Sequence, residues 1–256
     1  MLVRVLTAGG PLDAALMRAA VRVTGVRDHI DVRFLLDVRW FEPYVRTPDD
    51  LAAHWTPTEI DEATAAFLEE LDVKLDEYAQ TCAEGSASFT TRRTLAVPET
   101  EVARAMRESD LVMLPHPSGA SAEVRRAFSQ AIAAPTSPLL VVAGADQVRA
   151  ATVVAETTQR PNGSTDEVLR AVLDGNVDRI AVEPPAEPER FESMAPVVEA
   201  APNGSRVGEQ TPGELQVLMG VSRAGPLGWA RVARRRLEPE RNLLLLPAKS
   251  GRVKRQ

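Results

Sequence analysis

Cysteine, histidine and long apolar runs are scarce in this chain of 256 residues. The single cysteine, Cys82, cannot form an internal disulfide, which favours a reducing compartment. The three histidines, His29, His54 and His116, lie far apart and lack the cysteine or acidic spacing of a zinc or iron site. No apolar run approaches the roughly 20 residues that span a bilayer. We therefore expect a cytoplasmic protein with no membrane contact and no metal.

A strong excess of charge is also missing. The net charge is −6, which gives no electrostatic reason to expect nucleic acid or an anionic membrane as a partner. The last residues, 249–256, form a short basic tail that is typical of a solvated terminus. Apolar residues make up 44% of the chain, enough to bury a sizeable core. The composition is that of an ordinary globular protein.

What the chain does have is an alternation of short apolar strands and amphipathic helices. The pattern in the first part predicts strands at 3–6, 30–38, 88–97, 111–114 and 139–142. Helices are predicted at 13–23, 58–82, 99–107 and 123–133. Five short strands separated by helices are typical of a parallel α/β sheet. Cys82, at the end of the apolar stripe of the longest helix, is interpreted as a buried core residue.

The pattern is repeated in the second part. Residues 110–143 align with 214–247 without a gap, so that Leu114 falls on Leu218 and Ser118 on Ser222. A strand at 152–155 and a helix at 165–173 match the beginning of the chain. We therefore predict two copies of one α/β unit, at 1–146 and 147–248. The second copy is shorter, because residues 184–213, rich in Pro, Gly and Glu, stand where the first has its longest helix.

One stretch carries a family resemblance. "SDLVMLPHPSGAS", followed by a helix and "TSPLLVV", resembles the universal stress protein family in its order of acidic residue, apolar strand, small-residue loop, helix, proline and apolar strand. The resemblance implies a five-stranded parallel sheet with helices on both faces. In some members it also implies an adenine nucleotide at the carboxyl ends of the strands. Such members have an acid after the first strand and Gly-x2-Gly-x9-Gly-Ser/Thr after the fourth, whose N–H groups reach the phosphates.

Both copies depart from that nucleotide pattern. In the first copy Thr7 stands at the position of the acid, and the loop after the fourth strand begins Pro115-His116-Pro117, whose prolines have no N–H to offer. The second copy retains a weak remnant of the site, and its cofactor-binding candidates are Glu156, Gly220, Ser222 and Gly225. We expect no ATP or AMP bound in the family's usual way, and no other cofactor.

The loop Gly9-Gly10-Pro11-Leu12-Asp13 after the first strand has two interpretations. It resembles the Ser-Gly-Gly-x-Asp-Ser phosphate loop of ATP pyrophosphatases, with an extra residue before Asp13 and an alanine in place of the second serine. The alternative, which we favour, is a strand-to-helix turn in which Gly10 supplies an unusual backbone angle and Asp13 caps the helix.

Two further groups of residues are candidates for a site. His116 would need a nucleophile beside it to be catalytic, and Ser118 or Ser121 are its neighbours in sequence. We interpret it as a solvated loop histidine and predict no catalytic residue. An aromatic cluster in the insertion after the second strand is interpreted as a packed flap, with a lid over the strand ends as the alternative. Its members are Trp40, Phe41, Tyr44 and Trp55.

The resulting hypothesis is a tandem, non-catalytic protein of the universal-stress type that binds a protein partner, or a second copy of itself, in a stress response. Two alternatives stay open: an adenine-nucleotide sensor working through the second copy, and a nucleotide-activating enzyme using Gly9, Gly10 and Asp13. Each copy ends in an apolar strand, at 139–142 and 243–246, which would be an aggregation hazard as a bare edge. Family members, as the resemblance implies, dimerise through this strand. We therefore expect the two strands to pair antiparallel in an internal pseudo-dimer.

Overall fold

The computed structural model describes residues 1–38, 57–85, 88–144, 150–155, 163–173, 179–183, 214–221 and 242–247. The strands in these residues are β1 (Leu2–Thr7), β2 (His29–Asp37), β3 (Ser88–Ala96), β4 (Leu111–Pro115), β5 (Leu139–Val142), β6 (Ala150–Ala155), β7 (Arg179–Glu183), β8 (Glu214–Val221) and β9 (Asn242–Pro247). The helices are α1 (Asp13–Val23), α2 (Pro57–Ala83), α3 (Pro98–Glu108), α4 (Ala122–Ala133) and α5 (Gly163–Leu173). The predicted α/β alternation is confirmed.

All of these strands belong to one sheet, in the order β3-β2-β1-β4-β5-β9-β8-β6-β7. Neighbouring strands are parallel at every pairing but one. The exception is the pair β5–β9, which we call the seam, where Leu139 lies opposite Leu245 and Val141 opposite Leu243 in antiparallel register. The predicted antiparallel pairing of the two apolar strands is confirmed.

Within the described residues, the two sides of the seam differ in their number of strands. The first half, residues 1–146, contributes five strands, as predicted. Within the described residues the second half, residues 147–248, contributes four, so the prediction of five strands in each half is not met there. Residues 184–213, between β7 and β8, lie outside the described residues.

Helices cover both faces of the sheet and bury the strands β4 and β5, which is why these two strands read as continuous apolar runs. On one face, α1 and α2 cover a core that includes Val3, Val5 and Leu16. On the other, α3 and α4 cover a core that includes Leu6 and Phe128. The seam belongs to both cores, because its residues alternate between the two faces.

Cys82 lies in the first of these cores and is fully buried, as predicted. Burial raises the pKa of its thiol to about 11. Since the thiolate is the reactive form, this cysteine is chemically inert at neutral pH.

The second core contains a group of charges that the sequence pattern did not predict. We call Arg4, Asp31, Arg33 and Glu101 the charge cluster; all four residues are buried. Asp31 Oδ2 accepts hydrogen bonds from Arg4 Nε at 3.1 Å, from Arg33 Nη2 at 2.8 Å and from the half-exposed Arg92 at 2.9 Å. Glu101 of α3 accepts from Arg33. The charge cluster therefore ties α3 to β1 and β2.

Candidate functional site

The candidate site lies between the loops that follow β1 and β4. β1 pairs with β2 on one side and with β4 on the other, and β4 pairs in turn with β5, so the connections that leave β1 and β4 run in opposite directions. In open α/β sheets such a divergence leaves a crevice at the carboxyl ends of the strands, where ligands bind. Here it holds a cavity of about 150 Å³, which we call the β1–β4 cavity. Its lining consists of Ala8, Gly10, Pro11 and Leu12 from the first loop and Pro115, His116, Ser118 and Ala120 from the second.

The first loop depends on a glycine at position 9. Gly9 has a φ of +82°, in the left-handed region that other residues rarely adopt. A Cβ placed on it would lie 2.9 Å from Cζ of Phe34. Gly10 has no positive φ, and a Cβ there would meet nothing within 4 Å. The prediction that Gly10 supplies the unusual backbone angle is therefore wrong by one residue.

Asp13 does not cap α1, contrary to the prediction. The helix begins at Asp13 itself, and its N-cap residue is Leu12, which makes no side-chain capping bond. The carboxylate is buried and accepts hydrogen bonds from the hydroxyls of Thr7 and Tyr78. The turn is closed by the backbone, where the Asp13 N–H donates to the Gly10 carbonyl at 3.2 Å. Asp13 therefore joins the end of β1 to α2.

The surroundings of Asp13 decide its protonation. Burial raises the pKa of the Asp13 carboxyl, against the opposing effect of hydrogen bonds from Thr7, Tyr78 and the Gly10 N–H. Burial and the bond to Asp13 also raise the pKa of the Tyr78 hydroxyl. Because both carboxylate oxygens accept bonds from inside the fold, Asp13 is not presented to a ligand. This does not favour the phosphate-loop interpretation.

Substitutions of Asp13 should separate its hydrogen bonds from its charge. Asp13→Ala leaves two buried hydroxyls without their acceptor and should lower the free energy of unfolding by about 1–3 kcal/mol at pH 7. Asp13→Asn keeps an uncharged acceptor and should stay within about 1 kcal/mol of the parent. A raised folded-state pKa gives stability below the unfolded pKa that is lost as pH rises through the folded one.

The free energy of unfolding of Asp13→Asn should therefore rise relative to that of the parent when the pH is raised from about 3.5 to about 7. These two values lie on either side of the range in which a carboxyl ordinarily titrates. Urea unfolding at both pH values measures the difference. If the parent instead becomes more stable relative to Asp13→Asn as the pH rises, the pKa of Asp13 is not raised.

His116 organises the second loop. Its Nδ1 accepts from the Ser118 N–H at 3.3 Å and lies 2.9 Å from Ser118 Oγ, at the start of a short 3-10 turn, Pro117–Gly119. The Ser121 hydroxyl accepts instead from the Val124 N–H and so caps α4. The ring of His116 is half-buried, not fully solvated as predicted, and burial lowers its pKa. Of the two serines considered, Ser118 is the one beside His116.

This chain is similar to known proteins in fold but not in sequence. No protein-family model matches the chain, and no curated protein does. Among solved structures, a universal stress protein from Archaeoglobus fulgidus DSM 4304 matches with a TM-score of 0.53 at 13% sequence identity, over 96% of each chain. The chain has the universal-stress-protein fold. At this identity the likeness concerns the fold alone.

Two other solved structures are similar over the same length. One is a protein of unknown function from Pseudomonas aeruginosa PAO1, with a TM-score of 0.46, 14% identity and coverage of 96% of this chain and 92% of that one. The other is the cytoplasmic domain of a prokaryotic cation chloride cotransporter, with a TM-score of 0.49, 11% identity and 96% coverage of each chain. Any ligand of this universal-stress-protein fold has to be argued from its own residues.

Of the four residues predicted as a weak remnant of a nucleotide site in the second half, Gly220 is the one that lies within the described residues. This glycine lies inside β8, where the register with β9 shifts between Met219 and Val221, and not after the strand as predicted. The end of β6 lies beside it, since Ala155 pairs with Met219. The other three candidates lie outside the described residues, as does the aromatic insertion: Glu156, Ser222, Gly225, Trp40, Phe41, Tyr44 and Trp55. A ligand at this end of the second half stays a prediction.

The described residues show neither a cluster of metal ligands nor a membrane-spanning helix. No group of three or more His, Cys, Asp or Glu side chains in this part of the chain could hold a metal ion. Among the helices described above, none is long and apolar enough to cross a membrane.

Proposed function

We propose that the chain is a non-catalytic binding protein of the universal-stress type whose first-half site does not hold ATP. The observation that carries this proposal is the loop after β4. Pro115 and Pro117 offer no N–H, and the N–H of Ser118 already donates to His116. A phosphate placed there would find few of the backbone donors that bind anions in glycine-rich loops.

The β1–β4 cavity supports the same proposal through its size and charge. At about 150 Å³ it lies below the range of about 300–1,000 Å³ that is usual for small-molecule and cofactor sites. Among the described residues that line it, none is a lysine or an arginine. A triphosphate would therefore have no cation in the lining to offset the loss of its hydration.

We also propose that the halves, residues 1–146 and 147–248, are two related units arranged as an internal pseudo-dimer. From outer strand to seam, the shared order is β2-β1-β4-β5 on one side and β7-β6-β8-β9 on the other. The third and fourth strands of these series are the ones whose sequences align, at 110–143 and 214–247. The seam occupies the apolar edges that a dimer of single units would use, so a further partner would bind elsewhere.

In this proposal the protein acts in the cytoplasm, as its cysteine usage suggests, by contact with a protein partner in a stress response.

Nucleotide binding is the direct test. Protein purified without added nucleotide should contain no stoichiometric ATP or AMP by mass spectrometry. Calorimetric titration with either nucleotide should show no saturable binding at micromolar concentrations. Stoichiometric co-purified nucleotide would overturn the proposal.

Two variants assign any weak binding that is seen. Gly220→Val should abolish binding by the second half, whereas Gly10→Ala, whose added Cβ meets nothing within 4 Å, should leave it unchanged. This result would favour the second-half sensor. Loss of binding in Gly10→Ala alone would favour the nucleotide-activating enzyme instead.

A further inference from the structure

We propose that the β1–β4 cavity binds an uncharged, single-ring ligand that carries a hydrogen-bond acceptor, and that Nε2 of His116 donates to that acceptor. The inference rests on the proposed function, because it takes the site not to be a phosphate site. It goes further by naming the class of ligand that the same residues fit.

The volume of the cavity sets how much of a ligand it can enclose. Apolar cavities of about 150 Å³ in proteins bind molecules as large as benzene. The β1–β4 cavity has about this volume. One ring with a small substituent fills this volume, so the cavity encloses about a single ring.

The walls of the cavity are apolar and held in place by the fold. Ala8, Pro11, Leu12, Pro115 and Ala120 form them. The loop after β4 is fixed to β5 by the His116 N–H, which donates to the Val142 carbonyl at 2.8 Å. The Leu12 side chain packs against Gly144, where a Cβ would come within 3.3 Å of Leu12 Cδ2. Apolar walls that such contacts already shape bind a ring at a smaller cost of ordering.

The polar groups of the cavity select an uncharged acceptor. Nδ1 of His116 accepts from the Ser118 N–H, which places the ring proton on Nε2. Because burial lowers the pKa of His116, the ring is neutral at neutral pH. Nε2 is therefore an uncharged donor beside apolar walls, and a carboxylate or phosphate bound there would lose its hydration without a compensating charge.

Three probes of matched size test the inference: benzamide, benzoate and toluene. Each is titrated into the full chain at pH 7, and binding is followed by the amide resonances of Gly10, Leu12, Ser118 and Ala120. Benzamide should shift these resonances saturably. Toluene, which lacks an acceptor, should bind about five-fold more weakly, the worth of one net hydrogen bond. Benzoate should bind at least about ten-fold more weakly than benzamide, because the charge must be desolvated.

Two substitutions and a control test whether the probes bind in the cavity and whether His116 contributes the donor. Ala120→Leu fills the cavity and should abolish binding of all three probes, whereas Ala83→Leu, at an exposed position of α2, should leave binding unchanged. His116→Phe keeps a ring but removes the donor, so benzamide should bind it no better than toluene does.

The outcomes separate this inference from the proposed function. No benzamide binding, equal binding of benzoate and benzamide, or shifts confined to other parts of the chain would overturn the inference alone. If ATP instead shifts the four resonances at micromolar concentrations, the proposed function fails as well.

Discussion

Val141→Asp is expected to prevent the chain from folding to a stable native state. Val141 is fully buried and lies opposite Leu243 across the seam, in the core that α3 and α4 cover. A carboxylate in this core has no partner to replace its hydration. The loss should exceed about 4–5 kcal/mol, a large part of the 5–15 kcal/mol that stabilises a typical domain. Soluble yield and thermal unfolding by circular dichroism measure it.

The seam should be equally sensitive from its other side. Leu245→Asp places the same charge opposite Leu139, in the same core, and should behave like Val141→Asp. The matched control is Val26→Asp, because Val26 is 77% exposed and substitutions at exposed sites usually change stability by less than about 0.5 kcal/mol. Soluble Val141→Asp or Leu245→Asp protein with unchanged melting would mean that the seam does not hold the two halves together.

Asp31→Ala should give the second large effect. The carboxylate accepts from Arg4, Arg33 and Arg92, and the first two of these are buried. Without Asp31 the two buried guanidinium groups are left with the carboxylates of α3, Glu108 for Arg4 and Glu101 for Arg33. Removing one partner from a buried ion pair costs about 3–5 kcal/mol, and for a chain of this size each kcal/mol lowers Tm by about 2–4 °C. Differential scanning calorimetry should therefore show Tm lowered by about 6–20 °C.

The control for Asp31→Ala is Asp72→Ala, which removes an exposed carboxylate 3.5 Å from Arg93. Exposed pairs contribute between about 0 and 1 kcal/mol, so this variant should melt close to the parent. Equal effects of the two substitutions would show that the charge cluster does not stabilise the fold.

The contribution of Asp31 to the stability of the fold should depend on pH. Burial acts to raise the pKa of Asp31, but the hydrogen bonds and charges of the arginines outweigh it and hold that pKa below its ordinary value. Such a group stabilises the fold above its unfolded pKa, near 4, and the contribution is lost as pH falls through the folded pKa. The stability difference between parent and Asp31→Ala should therefore shrink below about pH 4.

The strands could be predicted from sequence because burial on both faces leaves a direct signature. β4, β5 and the leucines 243–246 of β9 are unbroken apolar runs, and such runs occur where helices cover a sheet on both sides. An apolar edge strand left exposed promotes aggregation, and pairing the edge strands of the two halves removes that hazard. The strands themselves follow from neighbouring residues in the chain, whereas their antiparallel pairing also drew on the family resemblance.

The charge cluster could not be predicted in the same way. Arg4, between Val3 and Val5, reads as one solvent-facing residue of an alternating strand. It is buried because its partner Asp31 comes from the next strand and because α3 covers both. Each charge alone signals exposure, and only the group, brought together by tertiary structure, is compatible with burial.

The error at Asp13 has a similar cause. An aspartate between a glycine loop and an amphipathic helix is typical of an N-cap. The competing partner, Tyr78, is 65 residues away on α2, where its spacing marks it only as part of an apolar stripe. The Asp13 carboxylate accepts a hydrogen bond from the hydroxyl of this distant tyrosine and makes no capping bond to the backbone of α1. The residues around Asp13 in the sequence do not indicate this partner.

The reversal of strand direction between β5 and β9 fixes where ligands of the two halves could lie. Every strand of the first half points one way across the sheet and every described strand of the second half points the other. The carboxyl ends near His116 and near Gly220 therefore face opposite rims of the molecule. One small molecule cannot touch both, and an influence of one rim on the other would have to pass through the body of the sheet.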